Sequence, residues 1–583
     1  MEYIKLVEVY QKLEATTKRL EKTYIISEFL KAVPEENLQQ TILLLQGLVF
    51  PVWDERKIGV AARLVLKAIN KATGITQEKI EKDWAKVGDL GDVAESLVKE
   101  KKQITLFSRS LTVKKVFENI QKLAELEGEG TVDRKIGLIA ELLTSANPLE
   151  AKYIIRTLLE ELRVGTAAGT LRDAVVWAYF PEAKVKYDEN EKEIEVENRE
   201  EYNKYTDLVQ EAYDLSNDFS LVAKAAKKGK IDSIGLEVGT PIRVMLGPKE
   251  PDAKTALERT GIPAQAEFKY DGFRIEAHKD GNKITLFTRN LENVTKQFPE
   301  VVEYLKENIK AKSFIIDSEA VGFSPKTGKY LPFQNVSQRI KRKYDIEQTS
   351  REFPVELNIF DCMFYDGKSM IKEPFEKRRA LLEKIVKQIN KKIVLSKAKI
   401  VKNEDDVNKF FKESLAAGNE GLMLKKLDAP YKPGARVGYM VKMKETEEPL
   451  DLVITETEWG EGKRTNWFSS FTLACLDENG NFVEIGKVGT GIKEKSEEGV
   501  SFEELTNLLK PLVINQKGKV AKVKPKIVVE VAYEEIQKSP TYSSGYALRF
   551  PRVLRLRNME RSAEDVADLQ YIEEYYLKQR KRN

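Results

Sequence analysis

A lysine that closes an apolar run and is followed at once by Asp-Gly stands out in this chain: Ala266-Glu267-Phe268-Lys269-Tyr270-Asp271-Gly272-Phe273-Arg274. A lysine amine attacks phosphorus only when deprotonated, so a nucleophilic Lys269 needs partial desolvation and positive charge nearby, from Lys, Arg or a metal. Gly272 in a tight turn lets a phosphate approach the backbone. The same string also describes a surface lysine ahead of a hairpin turn. Charged segments follow it in order. Thr288-Arg289-Asn290, Asp317-Ser318-Glu319-Ala320 and Phe360-Asp361 each read as the end of a strand. Glu420-Gly421-Leu422-Met423-Leu424-Lys425-Lys426 then precedes Arg436 and the alternating pair in Met440-Val441-Lys442-Met443-Lys444. Alternation in a strand puts Lys442 and Lys444 on one face. Carboxylates at separate strand ends, Glu319 and Glu420, suit a hard, oxygen-liganded ion such as Mg²⁺, and converging Lys and Arg suit a polyphosphate. Each element also has a plain structural reading: solvated strand ends for Glu319 and Glu420, core for Phe360, a charged edge-strand guard for Lys442 and Lys444.

The rest of the chain narrows the chemistry. With 583 residues it holds about three or four domains. Its two cysteines, Cys362 and Cys475, lie far apart, which excludes a disulfide framework and a thiolate metal site. The single His278 excludes histidine-rich zinc sites. Catalysis is left to lysine, arginine and carboxylates. The net charge of +4 is small for a nucleic-acid binder, but 33% of residues are charged, so local patches count for more than the sum. No apolar run approaches a membrane span, and the charged, amphipathic start MEYIKLVEVYQKLEATTKRLEK is unlike a signal peptide. A cytoplasmic protein without a membrane segment is expected.

Three regions differ in periodicity. Residues 1–230 carry helical spacing, as in Leu142-Leu143, Leu149, Tyr153-Ile154-Ile155, Leu158-Leu159 and Leu162, and Asn147-Pro148 sets a cap before a first-turn proline. This predicts an all-α domain. Within it Arg163-Val164-Gly165-Thr166-Ala167-Ala168-Gly169-Thr170-Leu171-Arg172 is a small-residue turn with two arginines. It reads equally as a surface for a phosphate backbone or minor groove and as an ordinary connection between helices. Residues 231–447 alternate β-branched and aromatic runs (Arg274 to His278, Ile284 to Thr288, Ser313 to Asp317, Leu357 to Asp361) with helices (Pro299 to Ile309, Pro374 to Ile389), which predicts an α+β core on antiparallel sheet. Residues 448–583 are mostly short strands around the turn Asp477-Glu478-Asn479-Gly480, followed by a helical stretch from Ser562 to Lys578. That predicts a small Greek-key barrel of the OB-fold kind, a common nucleic-acid binder.

Over roughly the last 315 residues the ordered segments resemble the motif series of the covalent nucleotidyltransferases, most closely the ATP-dependent DNA ligases of archaea and eukaryotes, through to Arg549-Phe550-Pro551-Arg552-Val553-Leu554-Arg555-Leu556-Arg557. LEAKYIIRTLLEELRVGTAAGTLRDAV is similar to that family's DNA-binding domain. The resemblance implies a helical DNA-binding domain, an adenylation domain and an OB-fold domain. It implies that Lys269 is adenylated from ATP, that Glu267 reads the adenine amino group and that Phe360 stacks on the base. It assigns Arg274 and Arg289 to the nucleotide and the nick 5′-phosphate, Glu319 and Glu420 to ribose or Mg²⁺, and Arg436, Lys442 and Lys444 to the α-phosphate. Arg549 and Arg552 would orient the leaving pyrophosphate. Arg163, Gly165, Thr166, Gly169 and Thr170 would meet nicked double-stranded DNA. One departure is Met440, beside Tyr439, where many members carry tryptophan; it bears on the packing under the lysine strand.

The resulting expectation is a monomeric ligase that seals nicks in replication, repair and recombination through lysyl-AMP and DNA-adenylate. An RNA ligase or capping guanylyltransferase uses the same lysine chemistry, but the helical first domain favours duplex DNA. A non-catalytic DNA- or clamp-binding scaffold has no reason to keep Lys269, both acids and both strand lysines together. Gln103-Ile104-Thr105-Leu106-Phe107 resembles a shortened motif for a ring-shaped sliding clamp, with Gln103, Leu106 and Phe107 as contacts; its alternative is that Leu106 and Phe107 anchor the helical domain.

Overall fold

The computed structural model describes residues 1–100, 110–331, 333–340, 342, 344–434, 438–444, 448–460, 464–494, 499–557 and 560–579. Gln103, Leu106, Phe107 and Arg436 lie outside the described residues. The chain divides into two compact units, each gathered from separated stretches: Met1–Pro248, Asp271–Lys397 and Lys426–Met440 in one, Lys249–Tyr270, Ala398–Lys425 and Val441–Asn583 in the other.

In the first unit the N-terminal stretch is helical because its apolar residues recur at helical spacing. The helix Val113–Glu125 buries Val113, Val116, Phe117, Ile120 and Leu123 along one stripe. At Pro148–Leu158 the expected cap is present: the Asn147 side chain accepts from Glu150 N–H, Glu150 returns to the Asn147 N–H, and Pro148 fills the first turn. The region is not purely helical. A hairpin of Val185–Asp188 and Glu193–Val196 follows the alternation in Lys-Tyr-Asp and Glu-Ile-Glu-Val, and stacks Tyr187 on Tyr24 at 4.5 Å.

The same unit carries a sheet in the order Ile393–Leu395, Val355–Tyr365, Ser313–Gly322, Phe273–Asp280, Lys283–Thr288, with Lys368–Ser369 on the flank of Val355–Tyr365. All its pairings are antiparallel except that of Ile393–Leu395 with Val355–Tyr365. One face packs Ile275, Ala277, Ile316, Leu357 and Ile359 against Phe298, Val301, Leu305 and Leu382. Period two then sends Arg274, Glu276 and His278 to the opposite face. Two strands run further than their sequences suggest. Ser313–Gly322 continues past Glu319 because Ala320 and Val321 are buried and pair with Leu357 and Glu356. Val355–Tyr365 likewise continues past Asp361. Asp317, Glu319 and Phe360 are therefore mid-strand positions and not strand ends.

The second unit holds a sheet in the order Ala398–Val401, Ala264–Lys269, Gly421–Lys426, Met440–Lys444, Lys249–Glu250. Phe268 packs on Phe410 of the helix Glu404–Ala416 at 4.9 Å. Its C-terminal portion is a sheet domain in the order Phe482–Val488, Phe468–Leu476, Leu450–Trp459, Val520–Val523, Val513–Lys517; Val528–Ala532 joins Leu450–Trp459 and Arg552–Leu556. The terminal helix is shorter than its sequence signal. It runs Leu569–Lys578, started by the Asp568 side chain accepting from Tyr571 N–H.

Candidate active site

In the strand Ala264–Lys269, residues 265, 267 and 269 share a face. Lys269 Nζ lies 2.6 Å from Glu420 Oε2, and Lys444 Nζ lies 2.7 Å from the same oxygen. Lys444 also reaches Glu534 Oε2 at 3.2 Å. The Glu420 backbone N–H donates to Lys269 O at 2.8 Å, which fixes the acid beside the lysine. Gly421 permits this approach: its φ is 141°, and a Cβ there would stand 2.1 Å from Met443 O. Burial would raise the Glu420 carboxyl, but Lys269 and Lys444 outweigh it and hold it well below the usual range. Burial would lower Lys444; Glu420 and Glu534 overcome that and raise it. Lys442 and Lys444 do share one face, since burial alternates along Met440–Lys444.

Beside this row, Lys425 Nζ lies 2.8 Å from Glu267 Oε2, and Gln265 Nε2 donates to Glu267 Oε1 at 2.8 Å. All three side chains are buried.

In the first unit the polar sheet face carries a separate network. Arg274 donates Nε and Nη2 to the two oxygens of Asp317, and Nη2 also to the Tyr431 hydroxyl at 2.9 Å. Tyr431 donates to Asp317 Oδ2 at 3.0 Å and accepts from Met245 N–H at 3.2 Å. Burial alone would lower the Arg274 guanidinium, yet Asp317, Tyr431 and Glu276 raise it; burial pushes the Asp317 carboxyl up to about 6 against the pull of Arg274. His278 Nδ1 accepts from Gly239 N–H at 2.9 Å, so the proton sits on Nε2, which faces Glu276 Oε1 at 2.8 Å. Glu276 Oε1 also accepts from Ile242 N–H. The only histidine thus fastens the 239–242 segment to the sheet.

Phe360 owes its position to a β-bulge. Asp317 pairs with Asp361 and Ser318 with Ile359, which leaves Phe360 as the extra residue on its strand. The buried Arg378 braces the bulge, with Nε to Asp361 Oδ1 at 2.7 Å and Nη2 to Oδ2 at 3.1 Å. Gly272 has a packing reason that the sequence hid: a Cβ there would be 2.4 Å from Ala320 O and 2.9 Å from Glu319 Cγ. Close approach to the strand Ser313–Gly322 by itself requires a glycine here.

Comparison with known proteins bears on what this arrangement is. Family patterns match in chain order: "DNA ligase N terminus" at residues 2–176, "ATP dependent DNA ligase domain" at 244–444 and "ATP dependent DNA ligase C terminal region" at 464–560. A DNA ligase of Nanoarchaeum equitans is 46% identical, with 100% of this chain and 99% of the relative covered; one of Thermococcus onnurineus is 41% identical over 99% and 98%. The chain belongs to the ATP-dependent DNA ligase family. A solved structure named Pmar-Lig_PreS3, 17% identical with a TM-score of 0.54 over 95% of this chain and 99% of that one, shares its fold.

The remaining candidate positions in this family member belong to both units. Arg289 is exposed just after Lys283–Thr288. Arg549 closes Tyr546–Arg549 with Nη1 3.4 Å from Glu535, and Arg552 opens Arg552–Leu556. Arg163 is exposed and pairs with Asp89 at 3.0 Å and Glu161 at 2.6 Å. Gly165 lies under the Lys22 ammonium, which donates to Val164 O, and Thr166 is half-buried. Gly169 and the buried Thr170 form the first turn of Ala168–Tyr179. Sequence reasoning did not name Gln265, Tyr431, Arg378 or Glu534, and quoted Lys425 and Asp317 in the ordered series without giving them a part. Period two from Lys269 back through Glu267 could have found Gln265; Arg378, inside a charged helix, carries no such signal.

Proposed function

We propose that the chain seals nicks in duplex DNA through a lysyl-AMP on Lys269, with ATP as donor. The observation that supports this is the pairing of Lys269 and Lys444 on one buried carboxylate oxygen of Glu420, which brings two ammonium groups together as an α-phosphate would need. Deprotonated Lys269 Nζ attacks the α-phosphorus, an N–P bond forms, and the bond from the α-phosphorus to the α,β-bridging oxygen breaks, releasing pyrophosphate. A 5′-phosphate oxygen at the nick next attacks the AMP phosphorus, and the lysine leaves as a protonated amine. The 3′-hydroxyl finally attacks the 5′-phosphorus and AMP leaves. Positioning and charge neutralisation supply most of the barrier reduction in such transfers.

In this reading Glu267 reads the adenine amino group, Phe360 stacks on the base, Arg274 and Arg289 hold the nucleotide and the 5′-phosphate, and Arg436, Lys442 and Lys444 neutralise the α-phosphate. Arg549 and Arg552 orient pyrophosphate. Glu319 and Glu420 hold Mg²⁺ or ribose. Among the described residues no three of His, Cys, Asp and Glu gather around one point; an oxygen donor set of one or two carboxylates fits an ion that keeps water and substrate phosphates as its other ligands. When bound, Mg²⁺ supplies charge neutralisation on the phosphates. The domains are 1–230 for DNA binding, 231–447 for adenylation and 448–583 for the OB-fold. Residues 163–170 meet the DNA backbone, Gln103, Leu106 and Phe107 meet a sliding clamp, and the protein acts as a cytoplasmic monomer. Among the described residues no helix is long and apolar enough to cross a membrane.

The test separates the chemical steps. With Mg²⁺ and labelled ATP the wild type gains an acid-labile, base-stable AMP on Lys269, and chelation of the metal prevents it. Lys269→Ala fails to seal an ordinary nick with ATP yet seals one already carrying AMP on its 5′-phosphate. A label on another lysine, or a folded, DNA-bound variant inactive on the pre-adenylated nick, refutes the assignment.

A further inference from the structure

Glu267 is one of the least exposed acids in the protein, at 2%, and it sits two residues before the nucleophile on the same strand face. Both its oxygens are held by side chains. Gln265 Nε2 donates to Oε1 and the Lys425 ammonium binds Oε2, each at 2.8 Å. Gln265 comes from the same strand; Lys425 comes from Gly421–Lys426, the strand that Glu420 leads into. Both partners are themselves buried, at 6% and 4%.

A buried carboxylate costs free energy unless it is paired, and the pairing also decides where its remaining lone pairs point. A carboxylate offers about four lone-pair directions. Gln265 and Lys425 take one on each oxygen, so the group cannot swing about its last torsion without breaking a bond to a buried donor. An acceptor fixed in this way distinguishes purines at C6. Adenine presents an amino group there and donates; guanine presents a carbonyl oxygen, and two acceptors repel. The place of Lys425 in the row beside Lys269 is explained by its ion pair with Glu267.

We propose that Lys425 and Gln265 are positioning residues for base selection, holding the Glu267 carboxylate so that it accepts from the adenine amino group and rejects guanine. The inference rests on the reading that Glu267 meets the base. Lys425→Met and Gln265→Met each remove one of these bonds, and the carboxylate is held less firmly in its orientation. The KM for ATP in self-nucleotidylation then rises about tenfold or more, the size of one hydrogen bond to a charged group. The KM for GTP and kcat stay as they were, so the preference for ATP over GTP falls by the same factor. Lys425→Arg keeps the charge and restores most of the preference.

The experiment measures label transfer from α-labelled ATP and GTP to full-length wild type, Glu267→Gln, Gln265→Met, Lys425→Met and Lys425→Arg. A selective rise in KM for ATP in both methionine variants, with recovery in the arginine variant, supports the proposal. A parallel loss with both nucleotides marks a merely structural pair and overturns it, as does an unchanged ratio. If Lys425→Met does not fold, Gln265→Met and Lys425→Arg decide in the same terms. Should Glu267→Gln itself leave the ATP:GTP ratio untouched, the reading of Glu267 fails; should it lower the ratio while the other variants do not, only the present inference fails.

Discussion

Asp214 should make the protein less stable at neutral pH than it is in mild acid. It is buried on the helix Arg199–Ser216, where its Oδ1 accepts from Gln210 Nε2 at 2.9 Å and a Cβ on Gly434 would stand 2.6 Å from that oxygen. Burial pushes its carboxyl from the ordinary 3.8 up to about 6; Gln210, Arg243 and Arg172 pull it down, Glu211 pushes it further up, and burial wins. A carboxyl whose folded value lies above its unfolded one is protonated in both states below about pH 4, and folding then carries no penalty. The penalty grows through the interval between those two values and is complete above pH 6, where a shift of this size is worth about 3 kcal/mol. Asp214→Asn keeps the oxygen that Gln210 uses and removes the charge. The variant should unfold in urea like the wild type near pH 4 and become the more stable of the two as pH rises to about 7, by up to about 3 kcal/mol. Equal unfolding midpoints at about pH 7, or a gap that narrows as pH rises, would refute the argument.

Arg378→Met removes one half of a buried ion pair and leaves Asp361 without its partner, which should cost about 3–5 kcal/mol in thermal unfolding; a loss below about 1 kcal/mol would show that the bulge under Phe360 does not depend on it. Removal of residues 1–230 should weaken nick binding and flatten its salt dependence while self-adenylation continues; equal loss of both activities would place the helical region within the catalytic core. Gln103→Ala with Phe107→Ala should weaken binding to a sliding clamp in a pull-down with the purified ring, and undiminished capture of a folded double variant would remove that contact.

Much of the fold is readable from the sequence because strand and helix periodicities are strong where a face is buried. Arg274-Ile275-Glu276-Ala277-His278 alternates cleanly, and its apolar and polar residues do go to opposite faces of the sheet. Strand ends are misread at Asp317 and at Asp361, the residue after Phe360, for one reason: a charged residue looks like an exit from the sheet unless its buried partner is known. Arg274 makes Asp317 tolerable mid-strand, and Arg378 does the same for Asp361. Those partners lie 43 and 17 residues away, beyond any local pattern. The lysine and its acids are legible as an ordered series, whereas the pairing of Glu267 with Lys425 is not, because nothing in either segment names the other.

The strands around Lys269 come from residues 249 to 444, and every strand of the other unit's five-strand run, 273 to 395, falls inside that interval. The outer sheet is interrupted after its second strand and resumes only when the inner one is complete. No contiguous stretch of gene can therefore encode the sheet that carries Lys269 without also encoding Arg274, Glu319 and Phe360. A duplication or transfer that carries the whole of the outer sheet carries the inner one with it, whereas the inner stretch, 273 to 395, is contiguous and can move alone.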